Sequence, residues 1–296
     1  MTAPKHSNLR RLLLGDFTLK RLVRSLLLIY LFFMVYVFVS ADRMIFLLPA
    51  SSYTDTPDVI KIVEPLSAHQ LSGLYLPALS SITADSIHPI SPASIPYTVL
   101  YSHGNAEDLG LIRPVLHLLQ NSGLSVLAYD YPGYGTSEGK PTEKSVYQAI
   151  DAAYNYLTQE RKIPADHILV YGRSVGGGPS TYLASQPSKA IAGLILESTF
   201  TSAFRTVIPF PILPFDKFPN LKHLNQYGGP VLVMHGTEDK TIAFNHGETL
   251  FERTTGTKQF LSVEGAGHDD LGWVAGDRYL NAIQAFIHLV RTAGSS

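Results

Sequence analysis

The apolar positions of the chain change their rhythm along its length, and each rhythm predicts a different element. Residues 25–41 read SLLLIYLFFMVYVFVSA, a run without a charge. With Leu22 and Val23, just before Arg24, it reaches the length of about 20 residues that a helix needs to cross a bilayer. From Val59 onward, short β-branched and aromatic runs alternate with longer segments of helical character. Residues 60–65 and 71–77 read as an antiparallel pair at a sheet edge. Further strands are predicted at 97–101, 125–129, 168–171, 192–196, 231–234 and 260–263. Helices are predicted at 109–119, 143–157 (with Thr142 as N-cap), 179–185, 244–253 and 277–290.

Near-continuous apolar strands separated by helices imply an α/β fold, with a mostly parallel central sheet covered by helices on both faces. Two stretches carry no clear element. Residues 80–96 are rich in Ser, Pro and Ile and read as an irregular loop. Residues 200–227 hold Phe210, Pro211, Ile212, Leu213, Pro214, Phe215 and Phe218, and read as a short, greasy cap.

Charge orients the apolar run. The preceding residues carry Lys5, Arg10, Arg11, Lys20, Arg21 and Arg24 against one acid, Asp16, whereas the following side opens with Asp42-Arg43 and is nearly neutral. The positive-inside rule then places residues 1–24 in the cytoplasm, a single-pass helix at 25–41, and the α/β domain at 42–296 on the other side. A signal peptide cleaved near Val39-Ser40-Ala41 is the rival reading, disfavoured by the long basic region and long apolar run. A buried core helix fits less well, because no polar stripe marks one face.

Composition removes several function classes. A formal net charge of -1 gives no reason to expect nucleic acid as a partner. With no cysteine, the chain has no disulfide, thiolate metal site or palmitoylation site. There is no HExxH, P-loop or G-x-G-x-x-G opening a helix after the first strand, so no metal and no organic cofactor is expected.

Candidate chemistry sits at predicted strand tips, where open α/β sheets bind ligands. The strand at 168–171 runs into Gly172-Arg173-Ser174-Val175-Gly176, a G-x-S-x-G turn followed by a helix, which exposes Ser174 at the strand tip. The strand at 231–234 leads to Asp239, and that at 260–263 to His268. A serine needs a neighbouring imidazole to take its proton, and the imidazole needs a carboxylate to fix its tautomer. Among 11 histidines, His103 and His235 also follow strands, but each precedes a glycine and reads as a loop-holding residue. Glu197 is the second choice for the acid; Asp269 and Asp270 read as loop or electrostatic residues. Two backbone N–H groups are expected to form an oxyanion hole: that of Asn105, with Ala106 adjacent, and that of Val175.

Six blocks carry a resemblance: SHGNAEDLG, YDYPGYGTSEGKPTEKSVYQAIDAAYNYL, YGRSVGGGPS, FDKFPNL, PVLVMHGTEDKTI and VEGAGHDDL. Over about residues 95–290 the chain resembles the α/β-hydrolase-domain-containing group 17 protein depalmitoylases, and is similar to the bud-emergence-type membrane-anchored hydrolases. The resemblance implies the α/β-hydrolase fold, with Ser174, Asp239 and His268 as a triad that cleaves an acyl ester or thioester through an acyl-enzyme. The substrate would be a lipid or a lipidated protein. Group 17 members carry a lipidated N-terminal cysteine cluster on the cytoplasmic face; this chain has a spanning helix instead. A domain facing away from the cytoplasm would not meet cytoplasmic acylated proteins. The rival functions are a serine peptidase of the prolyl-oligopeptidase type and a non-catalytic membrane scaffold.

Overall fold

The computed structural model describes residues 18–79, 96–208 and 210–293. The chain divides after Met44 into two compact units. Among the described residues the first is helix α1 (Leu19–Ile45), whose last residue opens the second unit. Its 27 residues rise about 40 Å, and it is long and apolar enough to cross a membrane. The helix outruns the expected span 25–41 at both ends, since no glycine or proline interrupts residues 19–45.

The second unit is built on one eight-stranded sheet, ordered β1-β2-β4-β3-β5-β6-β7-β8. At one edge β1 (Val59–Val63) pairs antiparallel with β2 (Gln70–Leu76), with Val59 opposite Leu74. β2 is also antiparallel to β4 (Ser125–Tyr129), and from there the remaining pairings are parallel. β3 (Thr98–Ser102), β5 (Ile168–Arg173), β6 (Gly193–Glu197), β7 (Val231–Gly236) and β8 (Lys258–Val263) complete it. Each strand overlaps its expected position.

Strand alternation sorts the core into two layers. Val99 and Tyr101 join Leu109, Ile112, Leu116, Phe286 and Ile287 on one face. Leu100 joins Val146, Ile150, Leu183 and Phe218 on the other. The first face is covered by α2 (Leu109–Asn121) and α8 (Asp277–Ala293), the second by α3 (Glu143–Asn155) and α4 (Gly177–Ala184). Burial on both sides explains why every residue of β3, β4, β6 and β7 is buried. Caps fix two helix starts: Asp108 accepts the Leu111 N–H, and Thr142 forms a reciprocal capping box with Ser145.

Differences from the sequence reading fall in short elements. Helix α3 stops at Asn155 and gives way to a wider turn, Tyr156–Glu160. The interval 200–227, read as lacking elements, contains a tight helical turn at Ala203–Thr206 and α5 (Asn220–Leu224). Helix α6 (Asn245–Arg253) matches its expected place, and α7 (Leu271–Ala275) was not foreseen. Most of the expected loop at 80–96, and most of the basic segment 1–24, lie outside the described residues.

Phe218 joins the cap to the core. Its ring is fully buried, edge-on to Phe46 at 6.0 Å and to Tyr147 at 5.6 Å, and it fills the space where a side chain at Gly178 would stand. Phe218→Ala is expected to cost about 3–5 kcal/mol of stability, read by denaturant unfolding of the full chain in detergent.

Candidate active site

Ser174 directly follows β5 and takes φ 54°, a left-handed backbone that a residue with a side chain adopts at a cost of order 1–3 kcal/mol. The turn closes only because its neighbours are small. A Cβ on Gly172 would strike the carbonyl of Gly176, and one on Gly176 would strike the carbonyl of Ser102. Thr199 Oγ1 donates to the Ser174 carbonyl at 2.6 Å and braces the turn from the segment just after β6. Ser174–Gly176 form a single helical turn leading into α4, so the Val175 N–H sits at a helix start, where backbone donors lack intrahelical partners.

The other two candidates arrive from loops after β7 and β8, which lie beyond β6 from the serine's strand. His268 Nε2 lies 3.0 Å from Ser174 Oγ, and His268 Nδ1 lies 2.7 Å from Asp239 Oδ2. The loops bearing Asp239 and His268 are sewn together: Thr237 N–H donates to Val263 O, Glu238 N–H to Ala266 O, and Gly265 N–H to Thr237 Oγ1. Asp239 Oδ1 accepts the N–H groups of Thr241 at 2.9 Å and Ile242 at 2.8 Å. Burial opposes the charge on Asp239, but bonds from His235, His268 and the Ile242 N–H outweigh it and hold the carboxyl well below its usual range.

The competing residues have other tasks. His235 is buried, with Nε2 2.8 Å from Ile242 O and 3.4 Å from Asp239 Oδ2, so it supports the acid's loop. His103 bonds its own loop through Gly104 O at 2.7 Å and lies against Tyr131. Glu197 takes the hydroxyls of Tyr171 and Tyr279. Asp270 accepts the Gly267 N–H at 2.7 Å.

Arg173 escaped the sequence reading, although its place between Gly172 and Ser174 was a signal. Its guanidinium gathers the loops around the serine. Nη1 meets Glu107 Oε1 at 2.6 Å, Nη2 reaches His268 O at 3.1 Å and Asp269 Oδ1 at 2.9 Å, and Nε lies 3.6 Å from Glu197. Glu107 in turn accepts the Gly104 N–H at 2.6 Å, which shapes the loop carrying Asn105. The side chain of Asn105 is occupied elsewhere: it donates to Ile45 O and accepts from Tyr134 OH at 2.7 Å and the Leu47 N–H at 3.1 Å. Its backbone N–H has no acceptor among the described residues. A cleft of about 550 Å³ lies beside the cap, lined by Thr201, Arg205, Asp216, Asn245 and His246 among others, but not by Ser174, Asp239 or His268. Among the described residues no group of three or more His, Asp or Glu side chains is placed to hold a metal ion.

A parallel sheet with a strained serine turn at its centre and acid and histidine on adjacent tips defines a hydrolase architecture, and comparison agrees. Residues 97–217 match the family model for the alpha/beta hydrolase fold. Alpha/beta hydrolase domain-containing protein 17B of Xenopus laevis is 41% identical over 197 residues, 66% of this chain and 67% of that protein. Human 17B is 41% identical over 64% of this chain and 66% of its own length, and mouse 17C is 40% identical over 64% and 59%. The chain thus spans about two thirds or less of these relatives. An esterase from Pyrococcus furiosus shares the fold at TM-score 0.64 and 19% identity, covering 83% of this chain and 98% of that one. The chain belongs to the α/β-hydrolase family.

Two outcomes test the electrostatics. Because the carboxyl of Asp239 is depressed in the folded state, its contribution to stability is full above about pH 5 and drains away as pH falls below the ordinary value of 3.8. The difference in melting temperature between wild type and Asp239→Asn should therefore hold constant from about pH 7 to pH 5 and begin to shrink only as pH falls below about 4. Arg173→Gln leaves Glu107 and Glu197 without their shared cation, and should lower stability by about 3 kcal/mol in denaturant unfolding at neutral pH.

Proposed function

We propose that the chain is a membrane-anchored serine hydrolase that cleaves an acyl ester or thioester, carried by a lipid or a lipidated protein. The observation that carries this reading is the hydrogen-bonded chain Ser174 Oγ, His268, Asp239, begun at a strained turn on the central strand. In the first half-reaction His268 Nε2 takes the proton of Ser174 as Oγ attacks the acyl carbonyl carbon. Asp239 holds the Nδ1 proton and stabilises the imidazolium. The N–H groups of Asn105 and Val175 receive the developing oxyanion, and the imidazolium passes its proton to the departing alcohol or thiol. Water then repeats the attack with the same histidine as base, releasing the acid and restoring Ser174.

The membrane part of the proposal rests on α1 as a retained single span. By the positive-inside rule, the basic residues ahead of it favour a cytoplasmic N-terminus with the catalytic unit on the opposite side. The group 17 relatives and esterase neighbours support ester or thioester chemistry. Hydrolysis of p-nitrophenyl acyl esters of increasing chain length by the detergent-solubilised full chain tests the reading. Ser174→Ala should lower kcat by roughly 10⁴–10⁶-fold at the preferred length. Equal rates for wild type and variant at every length would overturn it.

A further inference from the structure

The large apolar side chains of the second unit that stand in solvent include Leu47 (61% exposed), Leu48 (55%), Val207 (82%) and Phe210 (69%). These four belong to two segments joined through a buried aromatic contact. Phe46 is buried with its ring edge-on to Tyr134 and to Phe218 at the base of the cap. Asn105 clips the backbone on either side of it, holding Ile45 O and the Leu47 N–H. Residues 45–48 are therefore a fitted part of the unit and not a slack linker.

The cap is built inside out for a loop in water. Ala203 N–H donates to Lys217 O at 2.8 Å and closes its base. Arg205 turns inward, donating to the carbonyls of Ile208 and Phe210 and lying 3.7 Å from Asp216. The charged group is consumed in bracing the loop, while Val207 and Phe210 are left outside. Singly exposed apolar residues are ordinary, whereas apolar residues gathered on one surface mark a contact site. The occupant follows from chain connectivity. Leu47 and Leu48 come two and three residues after Ile45, the last residue of the apolar helix, and Phe46 ties the cap base to that same point.

We propose that Leu47, Leu48, Val207 and Phe210 form a surface that seats in the headgroup–acyl boundary of the bilayer crossed by α1. The proposal rests on the spanning reading of α1. It deepens the substrate class: acyl groups presented from the same bilayer would be taken up beside the cap. Apolar side chains at such an interface bury about 5–10 Å into the boundary.

The test uses the full chain with Trp273→Phe and Phe210→Trp, which leaves one tryptophan, at the cap tip. The protein is reconstituted into phosphatidylcholine vesicles, with and without lipid brominated near the top of the acyl chain. The expected result is blue-shifted emission that brominated lipid quenches. Alongside it, Val207→Ser with Phe210→Ser should slow hydrolysis of a vesicle-borne long-chain ester about tenfold, leaving that of a soluble short ester unchanged. Failure of the chain to float with carbonate-washed vesicles would overturn the anchor and this surface together. Flotation without quenching would overturn the surface alone, as would a blue shift that tracks protein density and ignores bromine, the mark of a second copy. Turnover of the soluble ester reports separately on the hydrolase reading.

Discussion

The molecule depends on one backbone angle. Ser174 occupies the left-handed region, and every close neighbour is arranged to keep it there. Gly172 and Gly176 give up their side chains to let carbonyls approach, and Thr199 bonds the serine's own carbonyl. A turn held this tightly projects its side chain at a fixed point above the sheet, so the partners need only be brought to that point. The parallel strands do so, because their carboxyl ends share one rim. The strain is local, whereas the restraint comes from the two strands beside β5, through Ser102 at the end of β3 and Thr199 just after β6.

Around the turn, charge is organised in two systems that meet at the histidine loop. Asp239 is stabilised as an anion by two backbone N–H groups and two imidazoles, so His268 faces a permanent negative charge. On the other side Arg173 binds the backbone of His268, and through Glu107 it also steadies the loop of Asn105. One guanidinium thus spans the loops that carry His268 and the candidate oxyanion donor. A lysine could not do the same, since a single ammonium lacks the fork of donors that reaches three loops at once.

Much of this was legible from residue order, and the remainder depended on contacts between distant loops. β-branched runs bounded by glycine marked the strands, and Thr142 marked a helix start that the structure caps as read. Ser174, Asp239 and His268, picked from strand tips, are the three side chains that the fold hydrogen-bonds in series. Helices α5 and α7 escaped notice because five residues are too few to display a helical period. The partners of Arg173 lie 66 and 95 residues away along the chain, beyond any local pattern. Asn105 was read for its backbone, and its side chain proved to be the clip that holds residues 45 and 47.

The position of β8 at the far edge of the sheet has a consequence for biosynthesis. His268 follows this strand, 94 residues after the serine it touches, and β8 pairs only with β7. A nascent chain can complete the turn at Ser174 and dock most of the sheet while His268 is still inside the ribosome. Ser174 therefore stays without its histidine neighbour until the edge strand closes, so the hydrogen-bonded series through His268 to Asp239 is among the last features of the sheet to form.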